Sequence, residues 1–243
     1  MVARSGRQHR ALVVALLATL LLWHVPFGGF VLYPFKLLAT WMHELSHGIA
    51  MLVTGAGFDR MEVYRDTSGY AYSLRSTGPL GAALVASAGY TGTAAIGAVL
   101  LVVGAGDRGA RVALAAIGAA LLASAALWVR NPFGIAATVG LGVALLGVAV
   151  FARAGATSLL LNFVAAQACV NAVLDIRVLF RSNLVVNGEV VQRSDAHTMA
   201  DAAFGPAWLW AVAWLAWSLA LFYVALRYSY RTSSRSDHGS AST

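Results

Sequence analysis

Charge is what this chain lacks most. Only 11% of its 243 residues are charged and 59% are hydrophobic, whereas charged residues make up roughly a quarter of an ordinary soluble domain. That deficit excludes a water-soluble fold, and a mean hydropathy of +0.72 points the same way. Cysteine is nearly absent: Cys169 stands alone, which excludes an intrachain disulfide and gives no signal of compartment. Polar stretches long enough to form a soluble module are missing too. The chain therefore reads as one domain, 1–243, with a Ser, Thr and Arg-rich tail at 228–243 expected to be disordered.

Acids are scarcer than bases. Ten Asp and Glu stand against seventeen Lys and Arg, for a net charge of +7. The arginines fall at the ends of apolar blocks and in the pieces between them. This is the distribution of a membrane protein's topological signal, not a nucleic-acid surface. The preference for Arg over Lys, with abundant Ala, Gly and Val, fits a GC-rich bacterial genome. Arg4, Arg7 and Arg10 precede an apolar run that continues past Trp23 without a small-x-small cleavage site, so an uncleaved first helix is expected.

What is present is a series of apolar blocks, each near the roughly 20 residues that cross a bilayer. Spans are expected near 11–31, 34–54, 79–103, 110–129, 133–152, 155–180 and 206–227, with tight turns at Tyr33-Pro34 and at Arg130-Asn131-Pro132. The fold class is all-α and polytopic, with six or seven transmembrane helices. If all seven segments cross, a cytoplasmic N-terminus puts ten Arg on the inner side and seven Lys and Arg on the outer side, four without the tail. Between the second and third blocks, 60–65 and 70–74 alternate around Asp66-Thr67-Ser68-Gly69, the pattern of a β-hairpin. The polar piece 181–205 is expected to hold a short helix capped by Ser194 or Asp195.

Within the second block lies His43-Glu44-Leu45-Ser46-His47. On a helix, residues four apart share a face, so His43 and His47 can hold one metal ion, while Glu44 reaches a water beside it. The usual metal for such a pair is zinc, one per chain, and the chemistry is peptide hydrolysis. A glutamate at the centre of a membrane helix costs about 2.5–3.5 kcal/mol on insertion scales. A metal with its water compensates; a buried polar network is the bland alternative. A catalytic zinc takes a third protein ligand. Glu44 and Asp175 are the acids within expected spans, and Asp175 lies at a depth similar to His47 if the two helices run parallel. Gln167, Asn171 and Asp175 form a polar row spaced by four on the same expected helix. Asp195 is the rival ligand, with helix capping as its simpler role. His24 and His197 read as structural or exposed.

These features resemble the site-2 protease family of intramembrane metallopeptidases. Its members carry H-E-x-x-H on one membrane helix and Leu-Asp-Gly near the end of a later one; the counterparts are His43 to His47 and Leu174-Asp175-Ile176. The resemblance implies His43, His47 and Asp175 as zinc ligands and Glu44 as general base. It gives Asn171 as the approximate counterpart of an upstream asparagine that orients the aspartate or binds substrate. It also matches the hairpin after the motif helix. Ile176 replaces the family's glycine, and the usual proline between asparagine and aspartate is absent. The expected protein is thus a compact, divergent member without a PDZ domain. It would be a multi-pass protein of the bacterial cell membrane, cutting membrane-protein substrates within or near their transmembrane segments, with the lipid bilayer as its other partner. A metal transporter would show ligands repeated along a path, and an inactive scaffold would show a damaged motif; neither is seen in the sequence.

Overall fold

The structure is a computed structural model. It describes residues 24–104, 106–179, 184–186, 189–191 and 194–238, with isolated helical positions at 14, 17–19, 21 and 22; side chains are outside the description at 154, 172–191 and beyond 228. The order of elements is α1 (Gly28–Val53), β1 (Phe58–Val63), β2 (Gly69–Ser73), α2 (Pro79–Val103), α3 (Asp107–Leu127), α4 (Pro132–Phe151), α5 (Ala154–Leu179), β3 (Leu184–Val186), β4 (Glu189–Val191), α6 (Asp195–Ala202) and α7 (Ala207–His238). Among the described residues, four helical stretches are long and apolar enough to cross a membrane: Pro79–Val103, Asp107–Leu127, Pro132–Phe151 and Ala207–Tyr228. The protein is mostly helical and membrane-embedded. α7 continues past its apolar part into the segment expected to be disordered.

The first expected turn is displaced. Pro34 lies inside α1, and the chain turns instead at Val25-Pro26-Phe27, with Phe27 at φ 66°. Gly28 explains the position: a Cβ there would lie 1.8 Å from the Leu22 carbonyl oxygen, so only glycine permits the approach. Seven of the 21 residues of the first expected span, 11–31, lie outside the described residues.

Several polar side chains link the helices. Trp41 donates its indole N–H to Ser124 Oγ at 2.7 Å, tying α1 to α3. Ser158 on α5 donates to Asp107 at 2.6 Å, at the start of α3. Arg111 donates to the carbonyls of Ala149, Val150 and Ala152, closing the C-terminal end of α4, where helix carbonyls lack partners of their own. One large core joins α1, α2, α3, α4, α5, α7 and β1 through residues such as Met42, Met61, Leu101, Leu114, Leu121 and Leu161.

β1 and β2 form the expected hairpin, with Met61 opposite Ala71 and Glu62 opposite Tyr70. The outer edge of β1 is occupied. The Met61 N–H donates to Trp128 O at 2.9 Å and the Arg130 N–H to Met61 O at 3.2 Å. Asn131 adds Nδ2–H to Val63 O at 2.7 Å. A second hairpin, β3 with β4, was not expected. Its signal is in the sequence, where Asn187-Gly188 lies between two runs of Val; that dipeptide is the strongest two-residue hairpin turn. The short helix is α6, with Ser194 as N-cap and Asp195 as its first residue.

Candidate metal centre

α1 places His43 and His47 one turn apart. Their rings stand nearly perpendicular with centroids 4.6 Å apart, and their Nε2 atoms lie 3.0 Å from each other. Asp195 reaches the same point from α6. Its Oδ2 is 3.2 Å from His43 Nε2 and 3.3 Å from His47 Nε2. The three ligand atoms all fall within 4.8 Å of one another. Ligands about 2.0–2.2 Å from a tetrahedral zinc are roughly 3.3 Å apart along each edge. Two imidazole nitrogens and a carboxylate at this spacing therefore fit zinc in both chemistry and size. Burial alone would push the Asp195 carboxyl up, but the adjacent His47 and His43 outweigh it and hold the group well below the usual carboxylate range.

The packing of α2 shapes the site. His47 Nδ1 lies 2.7 Å from Val85 O, a bond that puts the proton on Nδ1 and turns the Nε2 lone pair toward Asp195. Gly89 is the contact point. A Cβ there would lie 2.4 Å from His43 Nε2 and 2.5 Å from His47 Nε2, so any side chain would fill the space between the ligands. α6 is seated by a second, small core. Ala196 and Met199 pack with Ala83, Ala86 and Tyr90 of α2 and with Ala211 and Trp214 of α7.

Glu44 is buried on the same helix, and β2 lies against it. A Cβ on Gly69 would lie 2.9 Å from Glu44 Oε1, and the Ala71 backbone faces the Glu44 carboxylate. That direction follows from the register. Met61 turns its own N–H and C=O away from β2, toward 128–130, so Ala71 opposite it turns its pair away from β1. The outer edge of β2, which pairs with no other strand among the described residues, thus lies beside Glu44.

Asp175 is on α5, but its side chain lies outside the described residues. Its level in the bundle can still be read from the backbone. Gly104 of α2 meets Leu161 and Asn162, and Gly97 meets Ala168 and Cys169. Seven residues back along α2 thus correspond to seven forward along α5, an antiparallel pairing. A further seven bring Tyr90, which touches His43, level with Asp175. Asn171 is buried one turn earlier, and its Nδ2 has no hydrogen-bond partner among the described residues. His197 is a structural residue, 2.8 Å from Ser194 Oγ through Nδ1. The sequence marks Ala88-Gly89-Tyr90-Thr91-Gly92 as small residues suited to tight packing near the motif helix; it gives no signal for Val85, or for the contact of Gly89 and Tyr90 with the metal ligands themselves.

Apolar helices enclosing two histidines, a buried glutamate and a carboxylate define a membrane-embedded protein with a metallopeptidase-type cluster. The family profile described as Peptidase M50B-like matches residues 12–225. The chain belongs to this family, and the resemblance to site-2 proteases stands. None of the curated proteins and none of the solved structures matches it.

Proposed function

We propose that the chain is a zinc-dependent endopeptidase that hydrolyses peptide bonds within or near transmembrane segments of other membrane proteins. The observation that carries this reading is the convergence of His43, His47 and Asp195 beside Glu44, next to the outer edge of β2. A zinc ion held by these residues would supply Lewis acidity toward a water and the scissile carbonyl. Glu44 takes the water's proton on its carboxylate and returns it to the leaving amine. A transmembrane helix hides its carbonyls in its own hydrogen bonds, so the substrate must unwind locally. The unwound stretch would lie as an added strand along β2 (Gly69–Ser73), its backbone held beside Glu44.

For the third ligand, geometry favours Asp195. Asp175 remains a second reading, because the α2–α5 register brings it level with the histidines and because it matches the family motif. Asn171, one turn away, would orient that aspartate or bind substrate backbone. The distribution of arginines favours a cytoplasmic N-terminus in a bacterial cell membrane. The experiment measures zinc in full-length wild type, Asp195→Ala and Asp175→Ala, with proteolysis of a transmembrane substrate as the second readout. About one zinc per chain is expected in wild type, reflecting one site. A well-folded wild-type protein that holds no zinc and takes up none on addition would overturn the reading.

A further inference from the structure

His43 and His47 are oriented by different means. His47 has the Val85 carbonyl on Nδ1 at 2.7 Å. His43 has no hydrogen-bond partner on Nδ1 among the described residues; its polar contacts run through Nε2. What stands against its ring is Tyr90 of α2, perpendicular at 86° with centroids 4.7 Å apart. Tyr90 is 6% exposed and is backed in turn by Trp214 of α7, stacked at 11° with centroids 5.3 Å apart. Trp214 is itself 4% exposed.

We infer that Tyr90 and Trp214 are positioning residues for the metal centre: the Trp214 ring holds the Tyr90 ring, which fixes the plane of His43. An imidazole that can turn about its side-chain bonds loses rotational freedom on binding a metal, whereas one already held does not. Perpendicular aromatic pairs favour one relative orientation over others. The Tyr90 ring also touches the core that seats α6, so the same aromatic pair borders both His43 and the helix that delivers Asp195. The ring of Tyr90, not its hydroxyl, does this.

This inference rests on the metal-centre reading, and the test separates the two. Full-length protein in detergent is titrated with Co2+, followed by its visible absorption bands and by quenching of tryptophan fluorescence, with thermal unfolding measured in parallel. Wild type should bind Co2+ in a tetrahedral site and Trp214 should be quenched, so Trp214→Phe loses part of the quenching. Tyr90→Ala and Trp214→Ala should bind Co2+ at least tenfold more weakly and with shifted bands, while Tyr90→Phe stays within about twofold of wild type. If Tyr90→Ala does not fold, Tyr90→Leu, which keeps bulk without an aromatic ring, carries the comparison. Wild type that binds Co2+ alongside alanine variants with unchanged affinity and bands would overturn the inference alone. So would a Tyr90→Phe protein as weak as Tyr90→Ala, because that assigns the effect to the hydroxyl. Wild type that binds no Co2+ removes the metal centre, and the inference with it.

Discussion

The protein has two apolar cores of very different build, and the site lies between them. The larger joins six helices and a strand, chiefly through Leu, Met and Val side chains at or near full burial. The smaller is made of alanines, Met199, Tyr90 and Trp214, and joins one turn of α6 to α2 and α7. The first holds the histidines, whose spacing α1 fixes by its own pitch. The second holds Asp195, which depends on how three separate elements meet. A site assembled this way has a rigid half and a half set by a few contacts, so substitutions in the two cores should act on different properties.

Glu44→Gln should have the largest effect and is the reference for the rest. It keeps the shape of the side chain but cannot take a proton from water, so proteolysis should fall at least about a hundredfold with zinc retained. Cleavage at the wild-type rate would remove Glu44 from the chemistry. Gly89→Ala comes next. A methyl group 2.4 Å from His43 Nε2 must push the imidazoles apart. Metal content should collapse, at an overpacking cost of about 1–3 kcal/mol in stability; a folded Gly89→Ala protein with full zinc would show that α2 yields easily.

The third test goes to the small core. Met199→Ala opens a gap under α6 and should cost about 2–5 kcal/mol at most, as a core truncation does. Since Met199 belongs to the small core that seats α6, local loss of α6 packing is the expected form. Zinc affinity should drop in parallel with that of Asp195→Ala if Asp195 is the ligand. Asp175→Ala should drop instead if the helix aspartate is, and in that case Met199→Ala leaves the metal in place. The smallest effect is expected in the large core. Trp41→Phe leaves Ser124 Oγ without its donor at the α1–α3 contact, worth about 1–3 kcal/mol in thermal unfolding. Zinc content should not change, and a loss of metal there would erase the distinction between the two cores.

Much of the fold was legible in advance. The third span was expected at 79–103 and α2 runs over those residues, because a bilayer imposes both a length and a composition on each helix. The first hairpin was legible from alternation. The turn at Tyr33-Pro34 was not real, because proline is a weaker stop in an apolar helix than in water. The turn at Pro26 depends instead on how closely Gly28 approaches Leu22.

By itself the sequence determined a membrane protein with a zinc-type pair on one helix, since hydropathy and the i, i+4 spacing are local properties. Glu44's place beside that pair follows from the same helical pitch. Only the tertiary structure decided what completes the pair. Asp195 is about 150 residues from His43 along the chain, and capping was its simpler role, one it yields to Ser194. It reaches the histidines because three alanines, a tyrosine and a tryptophan on other helices seat α6. The distance between side chains so far apart in sequence is set by packing, and no local pattern records it.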